Sequence, residues 1–258
     1  MQTDMNNLVT QKNNQLMAME AEGAWGTEGV LSNDLILPRL MLMQALSKFV
    51  SDDTISAKAG EVRDSIDGRL LGSAKAPVKV IAFFNTTTWV INKETNGKFE
   101  FNKILPRVEG ERKEYEEVIE GEKYRNSACI NLYCLIYDDL KTGMVAPYEV
   151  SFKSFSFKNA GRSFAQLASK LKSNGKPLAS VVFEIGVKKE ENDKGQFYAY
   201  TLAFAKDKDG KVLMATDEEL AQAYGQYKQI SAAYKSNRLK TEVESDEVSS
   251  TAAAPSEF

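Results

Sequence analysis

Apolar and polar positions alternate along much of the central chain in a way that predicts strands. The stretch APVKVIAFFNTTTWVI, residues 76–91, is dense in β-branched and aromatic residues, which are typical of a strand. In ACINLYCLIYDD, residues 128–139, every second residue from Ala128 to Ile136 is apolar, which predicts one buried face. The same reasoning predicts further strands at 145–157, 178–189 and 196–205.

The period changes from two to about 3.6 in two places, which predicts two helices. In residues 161–173 the apolar side chains of Phe164, Leu167, Ala168 and Leu171 fall on one helical face. The pair Asn174-Gly175 follows and is a typical helix stop. A second helix is predicted over 217–237, with Thr216 or Asp217 as its N-cap.

The order of these elements is three strands, a helix, two strands and a final helix. We therefore predict an α+β, mostly β fold: a five-stranded Greek-key barrel of the oligonucleotide-binding (OB) type. The segment 92–127 is predicted to insert a hairpin, turned at Asn96-Gly97, between the first two strands. Residues 34–238 form the predicted domain, residues 1–33 a flexible segment and residues 239–258 a disordered acidic tail.

Charge divides the chain unevenly. It has 258 residues with 33 Lys and Arg against 36 Asp and Glu, and five of those acids lie in residues 241–258, which contain no base. The remaining chain is slightly basic, which is compatible with a polyanionic partner. Such an acidic segment with few apolar residues is expected to stay unfolded.

The sequence lacks residue types that several kinds of catalytic and metal site require. The chain has no histidine, which excludes Ser-His-Asp triads and imidazole-ligated zinc sites. Cys129 and Cys134 lie on one predicted strand and face opposite sides of it, so they cannot pair with each other. We expect no metal or other cofactor, no enzymatic activity, no membrane span and a cytoplasmic location, which would be the host cytoplasm for a phage protein.

The densest run of aromatic and basic residues is FKSFSFKNAGR, residues 152–162. If the strand continues to residue 157, Lys153, Phe155 and Phe157 share its outward face, and Lys158 and Arg162 follow directly. Unpaired bases stack on exposed rings while nearby cations contact phosphates, so this run predicts a single-stranded nucleic acid site. The alternative is that both phenylalanines belong to the core under the helix.

Other candidates for the same site are more dispersed. Three further rings could stack on bases and three further cations could contact phosphates: Trp89, Tyr198 and Tyr200, and Lys103, Arg107 and Arg125. The tyrosines could instead form a core face with Leu202 and Phe204, and the loop cations, interleaved with glutamates, could be an ordinary solvated loop.

The acidic tail carries its own prediction. An apolar ring beside a terminal carboxylate suits capture by a small apolar pocket with a basic rim on a partner protein. The residues predicted to bind such a partner are Asp246, Glu247, Glu257 and Phe258.

A barrel followed by an acidic tail with a final phenylalanine resembles bacterial and bacteriophage single-stranded DNA-binding proteins. In those families the tail recruits replication and repair enzymes. The chain is also similar to a group of bacteriophage DNA-binding proteins in three stretches: DLILPRLMLMQALS, YEVSFKSFSFKNAGRSFAQLASKL and VKKEENDKGQFYAYTLAFAK.

The sequence thus favours sequence-nonspecific binding of single-stranded DNA in phage replication or recombination, with the tail recruiting replication or recombination proteins. Three alternatives stay open: a phage recombination annealase, which would form rings or filaments, a virion or scaffold interaction protein, and a hydrolytic enzyme with a metal held by carboxylates. Self-association into a homo-oligomer also stays open.

Overall fold

The computed structural model describes residues 37–236, apart from 46, 48–49, 51–55, 109 and 194. The predicted flexible segment 1–33 and the predicted acidic tail 239–258 lie outside these described residues.

Two antiparallel sheets contain the strands. A three-stranded sheet has the order β1-β2-β3, and a seven-stranded sheet has the order β10-β9-β4-β7-β6, with β5 beside β4 and β8 beside β7. The strand bounds are β1 (Leu40–Leu42), β2 (Glu61–Asp64), β3 (Leu70–Ser73), β4 (Val78–Thr95), β5 (Lys98–Pro106), β6 (Glu116–Ile119), β7 (Glu122–Ile136), β8 (Pro147–Lys153), β9 (Phe183–Asn192) and β10 (Gly195–Phe204). The prediction of a mostly β, α+β fold is therefore confirmed.

Strand β4 organises the larger sheet because it is 18 residues long and has neighbours on both edges. β7 pairs along one edge, from Val80 to Lys93. The other edge carries β9 at Val78–Val80 and β5 at Thr88–Thr95. The predicted insertion is thus not a separate hairpin: β4 and β7 run on into it, and β5 and β6 pair with their extensions. We call β5, β6 and these extensions the arm.

The arm turns where the sequence predicts. Asn96 and Gly97 have φ values of 53° and 77°, as a tight hairpin turn requires. The β4–β5 ladder closes at the pair Thr95 and Lys98 on either side of this turn.

Short helical segments and two longer helices complete the fold. Their bounds are α1 (Tyr137–Leu140), α2 (Ser154–Ser156), a π-helix (Phe157–Gly161), α3 (Arg162–Ser173), a 3-10 helix (Leu178–Ser180) and α4 (Asp217–Lys235). The predicted helix over 161–173 is confirmed by α3, which is followed by Gly175 at a φ of 64°. Thr216 caps α4, because its side chain accepts from the Glu219 amide while the Glu219 carboxylate accepts from the Thr216 amide.

The predicted strand over 145–157 is too long. β8 ends at Lys153, and Ser154 has a φ of 52°, a left-handed conformation that breaks the ladder. The chain then enters α2 and the π-helix without a gap. Phe155 and Phe157 therefore do not share a strand face with Lys153, which corrects that prediction.

The larger sheet buries both of its faces. One face packs under α3 and contains Ile130, Leu132 and Cys134 of β7. The opposite face packs against α4 and contains Tyr133 and Leu135 of the same strand. Both cysteines are buried and unpaired with each other, as their spacing predicts.

The described strands form open sheets and not a closed barrel. Among the named strands, β8 pairs only with β7 and β10 only with β9, so no ladder joins β8 to β10. Glu149 of β8 also forms an isolated parallel bridge with Arg39, the residue before β1. The segment α2 stands beside β10 instead, since the Tyr200 amide donates to Ser156 Oγ at 3.0 Å. This placement positions the aromatic and basic residues that follow β8.

Candidate nucleic-acid interface

An aromatic pair lies where α2 meets the edge strand β10, with Phe155 exposed and Phe197 half-buried. The side chain of Phe155 is 39% exposed, and its ring centroid is 4.5 Å from that of Phe197. Lys158 places its Nζ 5.0 Å from the centre of the Phe155 ring, a cation–π distance. We call Phe155, Phe197 and Lys158 the edge patch.

The cations of this region are poorly neutralised. Lys158 and Arg162 are both exposed, and neither lies within ion-pair distance of a carboxylate in the part of the chain that the structure describes. The nearby Glu190 is already engaged: it accepts from Asn159 at 3.2 Å and from Lys188 at 3.1 Å, and the Lys188 hydrogen bond lowers its pKa. Arg162 begins α3 about one helical turn after Lys158.

Phe157 fits the core alternative better than the stacking prediction. Its side chain is half-buried and packs against the core under α3. Gly161 lies so close that a Cβ there would stand 3.1 Å from the Phe157 ring. The ring is therefore held under the helix.

The two late tyrosines do not form an open stacking face. Tyr200 is 5% exposed, and its hydroxyl donates to the Leu40 carbonyl at 2.7 Å, so the prediction of an exposed ring there is wrong. Tyr198 is half-buried against Gly60, where a Cβ would come within 2.7 Å of its ring. Both tyrosines are tied to the β1–β2 region, which the alternation within β10 could not reveal.

Trp89 is likewise not an open platform. It is 6% exposed, its Nε1 donates to Glu111 Oε2 at 3.2 Å, and the Arg107 guanidinium lies 5.1 Å from its ring centre. The prediction of an exposed ring at Trp89 is wrong because the chain after β5 covers this side of β4. Hydrogen bonding from the Val108 amide is the largest cause that lowers the pKa of Glu111.

Arg125 lies at the centre of an aromatic group on the arm. Its guanidinium is 3.9 Å from the Phe99 ring centre and 5.2 Å from that of Tyr115, and it pairs with Glu116 at 2.8 Å. We call Arg125, Phe99 and Tyr115, with the partner Glu116, the arm cluster. Of the other predicted cations on the arm, Lys103 is exposed and Arg107 lies over Trp89.

Most charges on the arm are paired with each other. The Nζ atoms of Lys93, Lys123 and Lys113 stand at 2.6, 3.5 and 3.6 Å from carboxylates. These carboxylates belong to Glu122, Glu94 and Glu111. The hydrogen bond from Lys93 lowers the pKa of Glu122. Most lysines of the arm are therefore neutralised by neighbouring glutamates, as expected if this segment is an ordinary solvated loop.

Lys153 lies near a buried carboxylate that the sequence reasoning missed. Glu149 is 5% exposed on the face of β8 opposite the α3 core, beside Tyr133 of β7. Burial raises the pKa of Glu149, and the charges of Arg39 and Lys153 partly oppose that rise. Next to Glu149 on β8, Ser151 Oγ donates a hydrogen bond to Asn131 Oδ1 at 2.8 Å.

Phe197 is the other residue that sequence reasoning missed. It lies in the stretch GQFYAY, in which Tyr198 and Tyr200 were the residues predicted to stack on bases. Its partner Phe155 comes from a different element, so no local signal joins the two rings. The tail residues Asp246, Glu247, Glu257 and Phe258 lie outside the described residues.

The described residues contain neither a metal-binding cluster nor a membrane-spanning helix. There, no group of three or more Cys, Asp or Glu side chains is placed to hold a metal ion. Within the same residues, no helix has the length and apolar character needed to cross a membrane.

Comparison with known proteins gives a family. Residues 6–241 match the model of a family described as Pam3 phage gp34-like protein. No curated protein and no solved structure matches this chain.

Proposed function

We propose a function for this chain, which belongs to the Pam3 phage gp34-like protein family: it is a phage protein that binds single-stranded DNA without sequence preference. The proposed setting is phage replication or recombination. The edge patch is the observation that carries the proposal.

The exposed ring of Phe155 at the sheet edge costs solvation free energy unless a ligand covers it. Bases provide such a cover, since stacking on an aromatic side chain is worth about 1–3 kcal/mol per base and tolerates any sequence. Phe155 offers the ring, and Lys158 and Arg162 supply cations for the phosphates that accompany a stacked base. Because these contacts read no base edge, the proposal predicts little sequence preference.

The order of the strands supports an OB-like reading of the sheet. The strands predicted as first to fifth are β4, β7, β8, β9 and β10, and their observed order is third-second-first-fourth-fifth. This is the order of a five-stranded Greek-key barrel opened between its third and fifth strands, and OB-folds are partly open. In such folds the loop after the first strand and the loop between the last two bind oligonucleotides. The loop between the last two strands corresponds here to the β9–β10 turn near Phe197, whereas the loop after the first strand is replaced by the arm, most of whose cations are paired with carboxylates.

We further propose that residues 241–258 recruit replication or recombination proteins and compete with DNA for the basic surface. Five acids without a base would be repelled by DNA and attracted to cations such as Lys158. Deleting residues 241–258 is expected to tighten binding to oligothymidine at low salt. Unchanged affinity at low salt would contradict the competition.

The direct test is a fluorescence anisotropy titration of the full chain with labelled oligothymidine and with a duplex of equal length. We expect tighter binding to the single strand. We also expect log K to fall with log salt by about 0.7 for each phosphate neutralised. Equal or tighter binding to the duplex would overturn the proposal.

A further inference from the structure

A cleft of about 350 Å³ lies beside the central strand β4, away from the edge patch. It exists because β9 accompanies that edge of β4 only to Val80, and β5 joins only at Thr88. Among the described strands, none pairs with residues 81–87 on this edge. The end of α4 contributes Tyr234 and Lys235 to the wall of this opening. We call it the β4 cleft.

The walls of the β4 cleft combine two cations with two aromatic rings, those of Tyr234 and Phe84. Arg107 comes from the end of β5 and Lys235 from the end of α4. Neither lies within ion-pair distance of a carboxylate in the described part of the chain, unlike most cations on the arm. Tyr234 is 40% exposed, and its ring is held by an edge contact with Phe84 at 5.7 Å between centroids.

One cation of the cleft, Arg107, is held by neighbouring structure. Arg107 is placed by its contact with the Trp89 ring, and its amide donates to the Thr87 carbonyl at 3.0 Å. The exposed Asn85 and the half-buried Thr87 add amide and hydroxyl groups to the same wall. A ring, an amide and two cations together match a base, its hydrogen-bonding edge and its phosphates.

We propose that the β4 cleft binds one nucleotide of single-stranded DNA, with the base against Tyr234 and the flanking phosphates at Arg107 and Lys235. This inference rests on the proposed function and adds a second contact point to it. The cleft volume lies near the lower end of the range of about 300–1,000 Å³ seen for small-ligand pockets, so it suits a single nucleotide. An acidic peptide is the rival occupant, but it would use only the two cations and would give no role to the Tyr234 ring or the Asn85 amide.

The first experiment removes both cations from the full chain, as Arg107→Gln with Lys235→Gln, and measures oligothymidine binding by anisotropy across a salt series. Loss of two phosphate contacts should reduce the slope of log K against log salt by about 1.4 and weaken binding roughly 20-fold near 0.1 M salt. The matched control is Lys228→Gln with Lys208→Gln. Both control lysines are exposed and neither lines the cleft, so affinity should stay near wild type at the same net charge.

A second measurement does not depend on any variant folding. Wild-type protein is crosslinked by ultraviolet light to oligothymidine carrying 5-iodouracil, and the crosslinked residue is identified by mass spectrometry. We expect a crosslink at Tyr234. Absence of any crosslink on the α4 end, or its loss on adding an acidic peptide but not on adding unlabelled oligothymidine, would overturn the inference.

The two proposals fail in different ways. If wild-type protein shows no preference for oligothymidine over duplex, the proposed function fails and this inference fails with it. If wild type binds, Phe155→Ala weakens binding, and the Arg107/Lys235 variant equals its control in affinity and slope, the β4 cleft alone is overturned.

Discussion

The edge patch and the arm cluster contain the same kinds of residue, aromatic rings beside basic side chains, but their charges are balanced differently. In the arm cluster, Arg125 lies over Phe99 and also pairs with Glu116 at 2.8 Å. In the edge patch, Lys158 lies over Phe155 without an ion-pair partner among the described residues. A cation already paired with a carboxylate must give up that partner before it binds a phosphate, whereas the described residues offer Lys158 no such partner.

The two regions also differ in how their rings are used. Trp89, at the base of the arm, is 6% exposed and hydrogen-bonded, so its ring stabilises the fold. Phe155 is 39% exposed and contacts the ring of Phe197. Composition alone therefore does not separate a stabilising aromatic from a binding one, because covering segments and acidic partners decide which role a ring has.

The largest expected effect is on stability, from Trp89→Ala. Truncating a buried tryptophan should cost about 3–5 kcal/mol of unfolding free energy and lower Tm by roughly 10 °C. Tyr115→Ala, an exposed ring on the same arm, is the matched comparison and should cost less than about 1 kcal/mol. Thermal denaturation followed by circular dichroism measures both, and a Trp89→Ala loss no larger than that of Tyr115→Ala would contradict the structural role.

Next in size is the loss of DNA affinity from Phe155→Ala. Removing one stacking ring should weaken oligothymidine binding roughly 5- to 100-fold, while Tm changes little because the ring is exposed. Phe101→Ala removes an exposed phenylalanine from the arm and serves as the control. If anisotropy shows that the Phe101 variant loses as much affinity as the Phe155 variant, the ranking of the two regions is wrong.

A smaller effect is expected on the salt dependence of DNA binding, where Lys158 and Arg125 should differ. Lys158→Gln should reduce the slope of log K against log salt by about 0.7, the value for one phosphate contact. Arg125→Gln should reduce it by less, because Glu116 already neutralises that guanidinium. Titrations at four or more salt concentrations measure both slopes, and a larger change for Arg125 would place the phosphates on the arm.

Local signals in the sequence were enough for the elements whose ends are marked by local chemistry. The predicted strand 76–91 corresponds to β4, the Asn96-Gly97 turn is present, and Thr216 caps α4 as one of the two residues proposed. Each of these depends on a few neighbouring residues. The break after β8 has no such mark, since a serine with positive φ looks like any other serine in the sequence.

The positions of the site residues depend on distant parts of the chain, which is why several predictions failed. Trp89 is covered by the segment after β5, and Tyr200 is bonded to Leu40 across 160 positions. Alternation in β7 identified one buried face, but α4, about 90 residues later, buries the other face as well. Alternation of apolar and polar residues predicts that one face of a strand is buried, but it does not indicate whether a later helix covers the other face.

The smallest expected effect concerns Glu149, whose environment is the reverse of that of the arm glutamates. Its pKa is raised by burial, whereas the pKa of the arm residue Glu122 is lowered by Lys93. A carboxyl whose folded-state pKa is raised stabilises the fold least once the pH exceeds that pKa, because the folded state then holds a buried charge. Glu149→Gln should therefore raise Tm at pH 8, by roughly 2–4 °C for each kcal/mol recovered. Below the ordinary pKa of 4.5 the carboxyl is mostly neutral in both the folded and the unfolded state, so at pH 4 the gain in Tm should largely disappear.

The control is Glu122→Gln, which should lower Tm at pH 8 because it removes a partner of Lys93. Equal shifts of Tm at both pH values would mean that packing, and not the buried charge, controls the response at Glu149.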